Sequence, residues 1–132
     1  MSRATKLPVH PRTLVLELLR KSAVPVTAYG LLEQLQGKGI KSAPIIYRAL
    51  AELEKQGLVH KIQAVGAYVA CSCSADHTHA FSIITICSDC KQVDELHDHT
   101  IIHHLEKLKQ MQVNLRPAAV IELPITCERC AA

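Results

Sequence analysis

Two Cys-x-x-Cys pairs, Cys87 with Cys90 and Cys127 with Cys130, stand 36 residues apart in a chain of 132. Whatever joins the pairs must bring two distant segments of a short chain together, and three chemistries do so: disulfides, a redox couple and a metal. The stretch MSRATKLPVHPR lacks the apolar core of a signal peptide. No run of about 18 apolar residues is available to span a bilayer. The expectation is therefore a cytoplasmic protein, where six cysteines argue for metal or redox chemistry and against a disulfide framework. A redox couple needs one pair at a helix N-terminus, where the thiolate is stabilised; SDCKQVDE reads as strand or turn instead. Unconnected buried thiols are the remaining reading, and a spacing that occurs twice speaks against it. Tetrahedral zinc takes four thiolates, and two such knuckles supply two each. Cys87, Cys90, Cys127 and Cys130 are expected to hold a structural Zn²⁺ that clips the C-terminus to a sheet. The condition is that the strands leading into the two knuckles are neighbours.

The cysteines divide the chain. Residues 1–69 have none and read as helices followed by a ribbon. RTLVLELLRKSA places Leu14, Leu18 and Leu19 on one helical face. In the next helix Thr27 is the expected N-cap, Leu31, Leu32 and Leu35 form the stripe, and Gly37 with Gly39 end it. In the third, Ser42 is the expected cap, Pro44 suits the first turn, and Ile46, Leu50 and Leu53 recur at helical spacing before Gly57. LVHKIQAVGAYVA then alternates around a Val-Gly-Ala turn and predicts a hairpin. Three short helices and a two-stranded ribbon make a winged helix-turn-helix. With 48% apolar residues but only 3% aromatics, its core must be aliphatic. The net charge of +3 is weak support for nucleic acid by itself.

Residues 70–132 carry every cysteine and six of the eight histidines. AFSIITICSDC reads as a buried strand, QVDELHD as a second, and PAAVIELPITC as a third leading into CERC. HDHTIIHHLEKLKQMQ is predicted helical with Ile101, Leu105 and Leu108 inward. Strand, strand, helix, strand is an open α/β layer whose edges and helix face are poorly covered in about 60 residues, which suggests burial against a second copy. The fold class is thus α+β: a winged-helix DNA-binding domain over 1–69, then a small α/β dimerisation domain over 70–132.

A second group of ligand-type residues gathers at the junction of the two parts. His60 follows the third helix, and Cys71 and Cys73 follow the ribbon. Asp76, His77 and His79 come next, and Glu95 and His97 follow the first knuckle. A lone His is more often structural or solvent-exposed. Here nitrogen, sulfur and carboxylate donors collect at segment ends, and such a mixed set prefers Zn²⁺ over Mg²⁺ or Ca²⁺. A metal bridging the two parts would set their relative angle.

The phrases TAYGLLEQL, IIYRALAELEKQGLVHKI, AYVAC, CSDCKQVDE and CERC together resemble the Fur family of metal-sensing repressors, most closely its zinc-responsive branch. The likeness covers nearly the whole chain. It implies a dimeric, zinc-dependent repressor of zinc-uptake genes. Its structural zinc would lie on Cys87, Cys90, Cys127 and Cys130, and its regulatory zinc on His60, Cys71, His79 and Glu95, two Zn²⁺ per chain. Cys71 after the ribbon is the mark of the zinc branch; a sensor of iron, manganese, nickel or peroxide is the alternative within the family. The sequence departs from the family pattern where Lys91 stands in place of the usual Gly, in a short N-terminal segment, and in ending two residues after CERC. Cys73 and His77 are rival ligands. A third site using His77 with His97, His99, His103 or His104 competes with those histidines simply facing solvent.

A recognition helix lies in the major groove with its first turns at base edges. Tyr47 and Arg48 sit there; Arg can bridge O6 and N7 of a guanine, and Tyr a thymine methyl or a phosphate. Packing inside the helical domain is the competing role for Tyr47, and an ion pair with Glu52 the competing role for Arg48. Tyr29 is a further contact, and Lys41 and Lys61 are phosphate candidates. A two-fold dimer matches a palindromic operator. No HExxH and no His-x-Glu with Pro-Cys-x-x-Cys phrase occurs, so no enzyme and no small-molecule substrate are expected. A purely structural, zinc-clipped adaptor would differ by lacking metal-dependent DNA affinity.

Overall fold

A computed structural model describes residues 9–72, 81–116 and 119–132. The N-terminal half holds three helices, α1 (Pro11–Lys21), α2 (Ala28–Leu35) and α3 (Ala43–Lys55), then β1 (Val59–Ile62) and β2 (Ala67–Ala70). The C-terminal half runs β3 (Phe81–Cys87), β4 (Val93–Leu96), α4 (His99–Glu106), β5 (Ala119–Ile125) and the one-turn α5 (Glu128–Ala131). Among the described residues no helix is long and apolar enough to cross a membrane.

Local chemistry accounts for the N-terminal boundaries. Thr27 caps α2 by accepting the Gly30 N–H at 3.0 Å, and a short 3₁₀ turn carries α2 to Gly39 at φ 95. The Leu58 N–H closes α3 by donating to the Leu53 carbonyl at 3.0 Å across Gly57, whose φ is 74. Ser42 stands at the N-cap of α3, but its side chain makes no cap bond, contrary to expectation. The expected face of α1 is also rotated. Val15 and Leu19 are buried, whereas Leu14 and Leu18 pack from its margins with Leu16. Leu31, Leu35, Ile46, Leu50 and Leu53 complete an aliphatic core closed by Val59 and Tyr68. Burial of each such Leu or Ile side chain contributes roughly 1.5–3 kcal/mol.

β1 and β2 pair antiparallel around a turn with Gly66 at φ 61, and Val26 bridges Tyr68 on the outer side of the ribbon. The C-terminal sheet has the order β4-β3-β5. β3 is its centre, buried along all seven residues. It pairs antiparallel with β4 and parallel with β5. The parallel pairing sends β3 and β5 out of the same end of the sheet, with Cys87 opposite Ile125. Both knuckles therefore start from neighbouring strand ends, as their spacing required. The ribbon lies against this sheet: Ile62 packs with Ile84 and Ile86, flanked by Val69, Val93 and Val120.

The inward face predicted for α4 is open in the single chain. None of its residues is buried, and Ile101 is 42% exposed. A three-stranded sheet with the ribbon packed against it leaves this helix without an apolar surface large enough to cover it. Leu123 and Ile125 at the end of β5 are exposed as well.

Candidate metal centres and nucleic-acid face

The Sγ atoms of Cys87, Cys90, Cys127 and Cys130 all lie within 4.8 Å of one another. Backbone geometry builds this arrangement. Lys91, at φ 64, turns the first knuckle back toward the sheet, and its Nζ donates to the Ser88 carbonyl at 2.8 Å. The second knuckle, read from sequence only as the end of a strand, forms α5 with Cys127 at its N-cap. The Ser88 N–H donates to the Ile125 carbonyl at 2.9 Å and ties the two knuckles together. The Cys127 N–H points at the Cys87 sulfur at 3.4 Å. Arg129 adds a bond to the Gln92 side chain at 2.9 Å.

Electrostatics split the four thiols. Backbone amides of Cys90 and Cys127 lower Cys87 to about 6, and the amide of Cys130 lowers Cys127. Cys130 is pushed up to about 12 by its neighbours Cys127 and Cys87. Four sulfurs this close cannot all be thiolates without a cation, and a divalent ion is the group that lets them be. A set of four sulfur donors fits a structural zinc site.

The second constellation forms where the halves meet. One ligand atom each of His60, Cys71 and Glu95 lies within 4.8 Å of the others. His60 is held on β1, Cys71 directly follows β2, and Glu95 is on β4. Glu95 Oε1 is 3.5 Å from His60 Nε2, and the Cys71 thiol donates to that oxygen at 3.6 Å. His60 and Glu95 side chains are only 5% and 6% exposed. Burial alone would raise the Glu95 carboxyl, but hydrogen bonds from His60, the Ser72 amide and Cys71 bring it down to about 2. A buried, ionised carboxylate beside a thiol and an imidazole is a donor set of oxygen, sulfur and nitrogen, again suited to zinc.

Sequence reasoning missed the residues that orient these donors. The Ser72 N–H and hydroxyl both donate to Glu95 Oε2, at 3.0 and 3.3 Å. Ser82 Oγ lies 3.4 Å from His60 Nε2. His97 Nε2 stands 3.4 Å from Ser72 Oγ, in a ring around the site. Nothing in the sequence around these serines signals such roles; they follow from the pairing of β1 with β2 and of β3 with β4, and from the packing of the two sheets. The expected ligand His79, with Cys73, Asp76 and His77, lies outside the described residues. Beside the cluster a cleft of about 410 Å³ opens between the end of α1 and β4, lined by Arg20, Cys71, Ser72 and Glu95.

On the other side of the N-terminal half, α3 presents Tyr47 and Arg48 outward, with Tyr47 47% exposed. Glu52, the alternative partner for Arg48, is paired with Arg12 at 3.0 Å. Tyr29 on α2 is 70% exposed, and Lys41 is exposed just before α3. Lys61 is half-buried, its Nζ 6.0 Å from the Tyr68 ring.

A model described as FUR, the ferric uptake regulator family, matches residues 3–121. The chain belongs to the ferric uptake regulator family. Similar members are known by sequence and by structure. The zinc uptake regulation proteins of Escherichia coli (strain K12) and Shigella flexneri are each 37% identical over 82 residues. That match covers 61% of this chain and 47% of each relative, less than half of their length. A structure described as a zinc uptake regulator complexed with zinc and DNA superposes with a TM-score of 0.80 at 30% identity, over 97% of this chain and 85% of that one. Holo XcZur superposes at 0.75 with 31% identity, over 98% and 89%. Both superpositions take in the two halves together, so the likeness to these two structures extends to the mutual arrangement of the halves.

Proposed function

We propose that this chain is a zinc-responsive, DNA-binding transcriptional repressor of zinc-uptake genes. It acts as a homodimer on a palindromic double-stranded operator with two Zn²⁺ per chain. The observation that carries the reading is the junction cluster: donors of His60, Cys71 and Glu95, drawn from both halves of the molecule, converge within 4.8 Å. His79 is the fourth donor in this reading. Cys87, Cys90, Cys127 and Cys130 hold the structural ion, whose ligands all belong to one half.

A zinc ion at the junction supplies the positive charge that stabilises the Cys71 thiolate and the Glu95 carboxylate side by side. The protein's own groups do the rest. Ser72 and Ser82 fix Glu95 and His60, and β1 transmits the position of His60 to the ribbon and α3. A ligand shifts such an arrangement only through its differential affinity for the closed and open forms. In the closed form Tyr47 and Arg48 of the two α3 helices stand at the spacing of adjacent half-sites. Tyr29, Lys41 and Lys61 contribute positioning contacts to backbone or base. The likeness to a regulator solved with zinc and DNA supports this reading, as does the open apolar face of α4 for a second copy.

Operator binding titrated against buffered free Zn²⁺, with Fe²⁺, Mn²⁺ and Ni²⁺ in parallel, tests it. The expected result is activation by Zn²⁺ at the lowest free concentration. Stronger activation by another metal, or metal-independent binding, contradicts it.

A further inference from the structure

Glu122 interrupts the apolar run of β5, VIELPI, with a single acid. It lies opposite Ile84 in the parallel pairing with β3 and is half-buried. Its two carboxylate oxygens accept the N–H groups of successive residues in the β1–β2 turn, Gln63 at 2.6 Å and Ala64 at 3.0 Å. Two charge-assisted bonds from one side chain fix orientation as well as distance. The acceptor belongs to the C-terminal half and both donors to the winged helix, 58 and 59 residues away in sequence.

This contact and the junction cluster grip opposite ends of one strand. His60 is the second residue of β1, and the Glu122 bonds begin at the residue after its last, Ile62. Between them Ile62, fully buried, packs on Ile84 and Ile86. A strand held at one end can pivot about that end; held at both, it cannot. We propose that Glu122 is a positioning residue for DNA binding: its carboxylate pins the wing turn to the C-terminal sheet at a second point and so fixes the angle at which the two recognition helices of a dimer stand. This rests on the DNA-binding reading above. The whole chain, with this contact made, superposes on the relative complexed with zinc and DNA at a TM-score of 0.80, which supports assigning the contact to the DNA-competent arrangement.

The test compares wild type with Glu122→Gln and Glu122→Ala, both zinc-loaded. First, amide exchange at Gln63 and Ala64 is measured: both amides should exchange faster in the variants, with zinc per chain, dimer mass and melting temperature unchanged. Unchanged exchange overturns the proposal whatever the protein does with DNA. Second, affinity is measured for a full palindromic operator and for a single half-site. Loss of the second anchor should weaken full-operator binding about fivefold or more, the low end of typical inter-site coupling, and leave half-site binding as it was. Equal losses on both DNAs would assign Glu122 to the stability of the DNA-binding half and overturn its positioning role; no loss on either does the same. Failure of wild type to bind any operator in a zinc-dependent way would refute the proposed function instead, while the exchange result still decides whether the wing is pinned.

Discussion

The two candidate metal centres use overlapping chemistry in different places on the chain. The four cysteines sit at the ends of β3 and β5, adjacent strands of one sheet, and the segments carrying them are already tied by the Ser88–Ile125 and Arg129–Gln92 bonds. The junction donors sit on β1, after β2 and on β4, strands of two different sheets. A metal at the first site closes a loop inside one folding unit. In the proposed function, a metal at the second would fix the angle between two. The difference in proposed role comes less from the donor atoms than from what the backbone between them is free to do.

The largest expected effect breaks the first centre. Cys87→Ser or Cys127→Ser should lose one tightly held zinc and unfold or dissociate the C-terminal half. Structural zinc contributes on the order of 10 kcal/mol of apparent binding energy to small domains, comparable to a typical domain's whole stability. Metal analysis and thermal melting on the same samples check this; full zinc content with unchanged melting would remove the structural assignment.

Next in size is the junction. Cys71→Ser or His60→Ala should leave a folded dimer that keeps the four-thiolate zinc. Its zinc midpoint for operator binding should rise by about 100-fold or more, since even an outer partner of a metal ligand is worth about 10–100-fold. Observed DNA affinity scales with the fraction of molecules in the competent arrangement. Cys71→Ser should also narrow the preference for zinc over manganese. A midpoint unchanged in Cys71→Ser would move the thiolate role to another residue, Cys73 first.

Arg48→Ala separates both centres from the DNA face. Specific binding should weaken by about 1–3 kcal/mol with zinc content and dimerisation unaltered. Equal loss on random DNA would make Arg48 a phosphate contact.

The smallest effect probes the fit of the first knuckle. Lys91 takes a left-handed conformation that costs an L-residue roughly 1–2 kcal/mol, partly offset by its bond to the Ser88 carbonyl. Glycine removes that cost but adds about 0.5–1 kcal/mol of unfolded-state entropy. Lys91→Gly should therefore raise stability by less than about 1 kcal/mol, read from denaturant melts of the zinc-loaded protein; a clear loss would mean the Lys side chain supports the knuckle.

Much of this architecture is legible in the sequence because short-range rules decide it. Thr27, Gly39 and Gly57 set helix ends through local backbone chemistry, and Ile46, Leu50 and Leu53 declare their face by spacing. The twin knuckles pose the condition that the strands leading into them be neighbours, which β3 and β5 meet. What escaped depends on partners far along the chain. Ser42 has the right identity for a cap but no bond. Val15 displaces Leu14 and Leu18 from the centre of the α1 face because β2 and α3 approach from that side. Ser72, Ser82 and Glu122 acquire their roles only from strand pairing. Glu122 alone left a trace, as a charge inside an apolar strand. Ile101 and Leu105 of α4, and Leu108 in the 3₁₀ turn that follows it, keep helical spacing, yet the single chain buries none of them.

The division of labour between the centres is tested most directly by one titration. Zinc per chain and operator binding are followed together on the same wild-type sample as buffered free Zn²⁺ rises. One zinc should already be bound where operator affinity is still low, and affinity should climb in step with the second. Operator binding that rises with the first zinc, or a protein that never takes up more than one per chain, would contradict the account.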